Sequence, residues 1–203
     1  PSFCQRQQSF VGIENENEGL IIANRGIPEY EILYNQSNSI ALTLIRSVGE
    51  LGDWGYFPTP GSQMKSEYSF EYSIIPFEKS EKTAMLSEAY LFSKNPYLAK
   101  QGDIHNGEIP LSNSYIKIKD NLFCSSIKKS ESDSDFILRI YNPLSRSLHS
   151  NIFVKNAVSS KLVMLNESEN RKIDISDDEF KIKIKSKEIK TIKLKTKSCK
   201  MLQ

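Results

Sequence analysis

Residues 19–76 set three strand-like runs around one glycine- and proline-rich loop, and no other feature restricts the fold as much. Residues 20–23 are continuously apolar, as in a buried strand. Tyr30, Ile32 and Tyr34 alternate with polar neighbours, the period of a half-buried strand. After a turn at 35–39, Ile40, Leu42 and Leu44 point one way while Ala41, Thr43 and Ile45 point the other. Both faces of that run are largely apolar, which predicts a central strand of a sandwich. The loop at 49–63 is long for a compact domain, and such loops are functional or disordered. Strand character resumes over 66–75, where Tyr68, Phe70 and Tyr72 share one face and are expected in the core; Pro76 is expected to end the strand.

One helix is predicted over 81–92, with Ser80 placed to cap it and Met85, Ala89 and Phe92 on one face. Residues 100–108 form a polar hinge with two glycines, which sets a boundary. Beyond it come short strands at 115–119, 122–127, 136–141, 151–158, 161–165, 180–184 and 189–194, with a hairpin tip at 130–135. Phe180, Ile182 and Ile184 alternate with lysines, as in an edge strand with a charged outer face. Ile189 is out of phase with Ile192 and Leu194, so a bulge is expected there. The fold class is therefore all-β: a portion of a large sandwich over 1–100, then a smaller immunoglobulin-like sandwich over 101–203.

Composition narrows the function classes. The 27 basic and 25 acidic residues nearly balance, so no whole-chain signature of a nucleic-acid binder exists. Lysines crowd into 181–200, which reads as the solvated face of strands. No apolar run nears the roughly 18 residues of a membrane span, and no signal peptide is visible. Cys4, Cys124 and Cys199 are far apart and odd in number, which suggests thiols in a reducing, cytoplasmic setting and no structural zinc. The chain does not begin with Met, as expected of a piece of something longer or of a processed terminus.

Several stretches carry a resemblance. They are Ile-Pro-Glu-Tyr-Glu (27–31), Leu-Thr-Leu-Ile-Arg-Ser-Val-Gly (42–49), Thr-Pro-Gly-Ser-Gln (59–63), Phe-Glu-Tyr (70–72) and Ala-Tyr-Leu-Phe-Ser-Lys-Asn-Pro (89–96). The second half adds Leu-Phe-Cys-Ser-Ser-Ile-Lys-Lys-Ser-Glu (122–131), Ile-Leu-Arg-Ile-Tyr-Asn (137–142), Leu-Asn-Glu (165–167) and Lys-Glu-Ile-Lys-Thr-Ile-Lys-Leu (187–194). In order and spacing these resemble the C-terminal β region of glycoside hydrolase family 38, the α-mannosidases. The loop at 49–58 is shorter than the family's arginine- and proline-rich version. The resemblance implies a retaining α-mannosidase whose Asp nucleophile and zinc, held by two His and two Asp, lie on an N-terminal catalytic domain. It implies that this region braces that domain, lends a wall to the sugar cleft and by itself lacks activity, with no metal or catalytic residue of its own.

The candidate substrate-binding residues are Arg46, Asp53, Trp54 and Tyr56. Sugars present apolar C–H faces that stack on aromatic rings, while carboxylates take their hydroxyls. Asp53 between glycines and beside two aromatics suits a sugar subsite; the alternative tucks Trp54 and Tyr56 under the loop as a small satellite core. Arg46 ends the 42–46 run, and the resemblance implies that an Arg near this position faces the cleft. The alternative is a structural pair with an acid such as Glu50. His105 and His149 have no partner at ligand spacing, and the 177–179 acidic run reads as a solvated turn. Two other readings stay open: a free-standing carbohydrate-binding module built on 52–56, and a structural, homo-oligomerising domain.

Overall fold

The computed structural model describes residues 4–34, 38–52, 56–96 and 112–197, the side chains of 169 and 170 excepted. The hinge expected at 100–108, with His105, lies outside the described residues. Two compact units result, Pro1–Tyr97 and Leu98–Gln203. Strands dominate both, every named pairing is antiparallel, and the all-β sandwich class holds.

The first unit contains β1 (Cys4–Arg6), β2 (Phe10–Glu14), β3 (Glu18–Arg25), β4 (Glu29–Leu33), β5 (Ser39–Leu42), β6 (Glu50–Leu51), β7 (Phe57–Pro58), β8 (Glu71–Glu78) and α1 (Lys82–Phe92). They form the sheets β1-β4-β5 and β2-β3-β8 and the ribbon β6-β7. Alternation decides which side of β2-β3-β8 is apolar. Ile21 and Ala23 of β3 and Ile75 and Phe77 of β8 point to one face, where they bury against Ala89, with Met85, Leu86 and Phe92 of α1 packed alongside. The β2–β3 turn is held by Asn15, whose Oδ1 accepts the N–H groups of Asn17 at 2.8 Å and Glu18 at 2.9 Å. After β3, the buried Asn24 Oδ1 accepts the N–H of Ile27 at 3.0 Å across a turn that needs Gly26 at φ 74°. Arg25 ties sheet to helix: its Nε donates to the Phe92 carbonyl at 2.8 Å, its guanidinium lies 4.7 Å from the Phe92 ring centre, and it pairs with Glu71.

Four sequence expectations are corrected in this unit. The 40–45 run is not a central strand: β5 stops at Leu42 and forms the edge of its sheet, leaving Leu44 and Ile45 exposed. Tyr68 and Tyr72 are exposed rather than core, because β8 begins only at Glu71 and its buried residues have the opposite parity. Pro76 does not end β8, which runs two residues further; as the outermost strand of its sheet, β8 tolerates a residue without an N–H. Ser80 does not cap α1, whose N-cap is Glu81 with no side-chain cap bond; the Glu81 Oε2 accepts the Glu78 N–H at 3.3 Å instead.

The second unit contains β9 (Ile116–Ile118), β10 (Phe123–Lys129), β11 (Phe136–Tyr141), β12 (Leu148–Val154), β13 (Ala157–Val163), β14 (Glu169–Ile173), β15 (Glu179–Ile184) and β16 (Ile189–Thr196). Two sheets, β10-β11-β16-β13-β14 and β15-β12-β9, enclose one core. Leu138, Ile140, Ile192 and Leu194 come from the first sheet, and Ile152, Val154, Phe180, Ile182 and Ile184 from the second. Burying each such side chain contributes about 1.5–3 kcal/mol. β15 is an edge strand with Lys181 and Lys183 exposed, as its alternation predicts. The bulge expected at Ile189 is absent: β16 pairs with β11 in unbroken register, and Ile189 points away from the core. At one end of the sandwich the buried Asn142 donates to the carbonyls of Arg146 and Lys185, both at 2.8 Å, and accepts the Leu144 N–H at 3.0 Å.

The outer face of the five-stranded sheet is also partly covered. Ile137 points to that face yet is fully buried, and Lys193 stands opposite it in the ladder. Lys193 Nζ pairs with Asp133 at 2.6 Å and donates to Ser132 Oγ at 3.2 Å. Lys128 Nζ pairs with Glu131 at 2.5 Å and with Glu167 at 2.7 Å. The Glu167 Oε2 also accepts the Ser130 hydroxyl at 3.1 Å and the Glu131 N–H at 2.9 Å. The 130–135 hairpin tip and the Leu-Asn-Glu turn are thereby strapped together. The Lys128 ammonium holds the Glu167 carboxyl below the usual carboxylate range, and Lys193 does the same for Asp133. Glu131 and Glu167 in turn push the Lys128 pKa up.

Two predictions follow from this packing. A Cβ on Gly19 would sit 2.3 Å from Cζ of Phe77, whereas one on Gly49 would meet nothing within 4 Å. Gly19→Ala should therefore cost about 1–3 kcal/mol through overpacking, and Gly49→Ala should change urea stability by no more than about 0.5 kcal/mol. The strap makes stability depend on pH. Both carboxyls have lowered folded pKa values, so their contribution is complete above the ordinary carboxylate range and is lost as pH falls through the lowered values. Glu167→Gln should flatten the acid limb of a plot of thermal midpoint against pH; an unchanged limb would show that the strap carries no stability.

Candidate functional site

The loop singled out in the sequence is an arm on the first unit. From residue 44 to residue 69, only Val48, Thr59 and Ser62 among the described residues are not exposed. These three hold the arm's base. The N–H of Thr59 donates to the Gly49 carbonyl at 2.9 Å, and the Thr59 hydroxyl donates to the Val48 carbonyl at 2.5 Å. The Ser62 hydroxyl also contacts the Val48 carbonyl, and Ser47 Oγ donates to the Ser62 carbonyl at 3.0 Å. Pro60–Gln63 forms a single turn of 3-10 helix with Pro at its start, which brings Ser62 back over Val48. β6 and β7 then pair Glu50 with Pro58 and Leu51 with Phe57.

The four candidates divide accordingly. Asp53 and Trp54 lie outside the described residues. Tyr56 is 86% exposed at the end of the ribbon, not tucked beneath it, and Phe57 beside it is exposed as well. Arg46 lies beyond the end of β5 and pairs with Glu29 at 2.7 Å, its own side chain still about half exposed. Its partner is Glu29 of the Ile-Pro-Glu-Tyr-Glu stretch, not Glu50. The sequence missed this because the contact spans 17 positions and depends on β4 pairing with β5. The structure thus places Arg46 at the root of the arm and Tyr56 near its end. An exposed ring and an exposed guanidinium are suited to stacking on a sugar face and to hydrogen-bonding its hydroxyls.

Among the described residues, no three His, Cys, Asp or Glu side chains come together in a way that could hold a metal ion. His149 is exposed on β12, and Asp177 and Asp178 form the left-handed turn before β15. Burial pushes the Cys124 thiol pKa up, the opposite of what a nucleophile requires. A hollow of about 190 Å³ in the second unit opens beside Met164, Leu165 and Ile189. Its one carboxylate, Glu188, is paired with Lys190 at 3.4 Å, so it holds no pair of carboxyls for glycoside cleavage.

Comparison with known proteins gives three concordant findings. Residues 121–192 match the family model described as the glycosyl hydrolases family 38 C-terminal beta sandwich domain. A protein of Halalkalibacterium halodurans named "Putative mannosylglycerate hydrolase" is 33% identical over 144 residues, 70% of this chain and 16% of its own length. Two Enterococcus faecalis structures, one of a protein in glycosyl hydrolase family 38 and one of an alpha-mannosidase, are each 29% identical; they match 95% and 96% of this chain with TM-scores of 0.79 and 0.81. The chain spans 22% of each of those two solved chains. A domain match inside the second unit, and a likeness in structure that runs through both, show that this chain belongs to the C-terminal β-sandwich region of glycosyl hydrolase family 38.

Proposed function

We propose that this chain is the C-terminal β region of a retaining, zinc-dependent α-mannosidase of the cytoplasm, where it braces an N-terminal catalytic domain and lends the 44–69 arm to the sugar cleft. The observation that carries this reading is the likeness of 96% of the chain to an alpha-mannosidase at 29% identity. A retaining glycosidase needs two carboxyl groups roughly 5–5.5 Å apart across the scissile bond. No residue of this chain is assigned to that pair or to the zinc; both belong to the catalytic domain. The arm supplies Arg46 and Tyr56, with Asp53 and Trp54 between β6 and β7, as the groups that meet the sugar. Alone, the chain is inactive.

The exposed Tyr56 and Phe57 also favour a second reading, a free-standing carbohydrate-binding module that uses the same arm. Titration of the chain with mannose or α-mannobiose, followed by the fluorescence of Trp54, separates the two. Saturable quenching supports the module; no response supports the brace.

The 203-residue chain with zinc should not turn over an aryl α-mannoside, and turnover would overturn the reading. In the longer polypeptide, Tyr56→Ala should raise KM about fivefold or more with folding intact. Arg46→Ala removes a half-exposed ion pair, so it should change stability by no more than about 1 kcal/mol, and any larger loss of activity would report contact with substrate.

A further inference from the structure

The outer face of β2-β3-β8 is covered at one side and open at the other. Away from α1, the register sets Val11, Ile22 and Ile74 in one row across the three strands, and Ile13, Leu20 and Pro76 in the next. Along the first row burial falls steadily. Val11 is 7% exposed, Ile22 is half-buried, and Ile74 is 60% exposed. Tyr72, two residues before Ile74 and so on the same face, is 54% exposed. Three apolar side chains of one row would be equally wet if nothing lay above them and equally dry if a layer covered all three. The gradient means that the covering layer ends before β8.

β8 is not a strand that solvent suits. It presents Tyr72, Ile74 and Pro76 outward in alternation, where the open face of an antiparallel strand ordinarily carries polar groups. It is also the outermost strand of its sheet, and among the described residues no strand pairs with its far edge. In the arm that leads into β8, Met64 and Tyr68 are exposed as well. An apolar row left exposed along one strand marks a docking surface.

We propose that Tyr72, Ile74 and Pro76 are the docking face for the apolar side of a further β layer, supplied by the part of the longer polypeptide outside these 203 residues. This rests on the reading of the chain as one region of a larger hydrolase. The occupant is assigned to that polypeptide and not to a second copy because the solved family chains are far longer than the part this chain matches, 22% of each. A sheet face is the fitting partner: alternation on both sides lets apolar rows interdigitate, and β8 already shows its row.

The test compares Ile74→Lys in the 203-residue chain and in the longer polypeptide encoded with it, with Lys181→Ala on the solvated face of edge strand β15 as control. In the short chain, Ile74→Lys should leave the thermal midpoint within about 1 °C, since the side chain is already wet. In the longer polypeptide it should lower the midpoint by about 3 °C or more, and the amides of 71–78 should exchange more slowly than in the short chain. The control should be silent in both. Equal silence of Ile74→Lys in both proteins would overturn the proposal. So would destabilisation in the short chain itself, or a concentration-dependent dimer of the short chain that Ile74→Lys abolishes, which would give the face to a second copy. Assay of the longer polypeptide on an aryl α-mannoside keeps the two readings apart: an active enzyme indifferent to Ile74→Lys leaves the hydrolase standing without this docking face.

Discussion

A β-sheet has two faces, and each must be wetted by polar side chains or covered by another layer. Most of this molecule is an answer to that constraint. Helix α1 covers one face of β2-β3-β8, and Arg25 fixes the helix end to the strand it covers. In the second unit two sheets cover one another, and the charged lysines of β15 wet the far side. Where the five-stranded sheet buries Ile137 on its second face, the cover is a strap of hairpin and turn in which Glu131, Asp133 and Glu167 each meet a lysine. Lys128 with Glu167 and Lys193 with Asp133 hold the strap across the sheet, and each lysine lowers the pKa of the carboxyl it meets. The outer face of β8 is where the constraint is left unmet within these residues.

The family-like stretches gain a physical meaning from the same structure. Thr-Pro-Gly-Ser-Gln is the turn that brings two hydroxyls onto the Val48 carbonyl and so fixes the root of the arm. Ile-Pro-Glu-Tyr-Glu supplies Glu29 for Arg46. The Asn of Ile-Leu-Arg-Ile-Tyr-Asn ties its own turn, at Leu144 and Arg146, to Lys185 at one end of the sandwich. The Glu of Leu-Asn-Glu is the bridge of the strap. Each is a polar side chain satisfying backbone or charge at a place where strands turn, and such groups are costly to replace. Of the residues proposed to meet sugar, Arg46 lies within such a stretch and pairs with Glu29 at the root of the arm, whereas Tyr56 lies outside them, near its end.

Much of the fold was legible in the sequence because strand alternation survives without tertiary context. Phe180, Ile182 and Ile184 read as one buried face and are. The runs at 136–141 and 189–194 read as strands and are strands. Errors fell where two-sided apolar character was taken for two-sided burial. Leu44 and Ile45 are as apolar as core residues, yet β5 ends before them; the composition of a run does not say whether a neighbour lies alongside it. The phase of 66–75 failed for a related reason: its aromatics stood at one parity, but the helix packs on Ile75 and Phe77 at the other.

Spacing and backbone chemistry within a few residues were enough to read an all-β chain, strands such as 136–141, 180–184 and 189–194, and the exposed loop, but not the turn at 155–156 that divides the run read as 151–158, nor β14. The tertiary structure alone decided which side of each strand is dry, that Arg46 meets Glu29, that Lys128 meets Glu167, and that the cover over β2-β3 stops before β8. Those outcomes rest on contacts between residues far apart in the chain, and local pattern carries no term for a partner that only folding brings near.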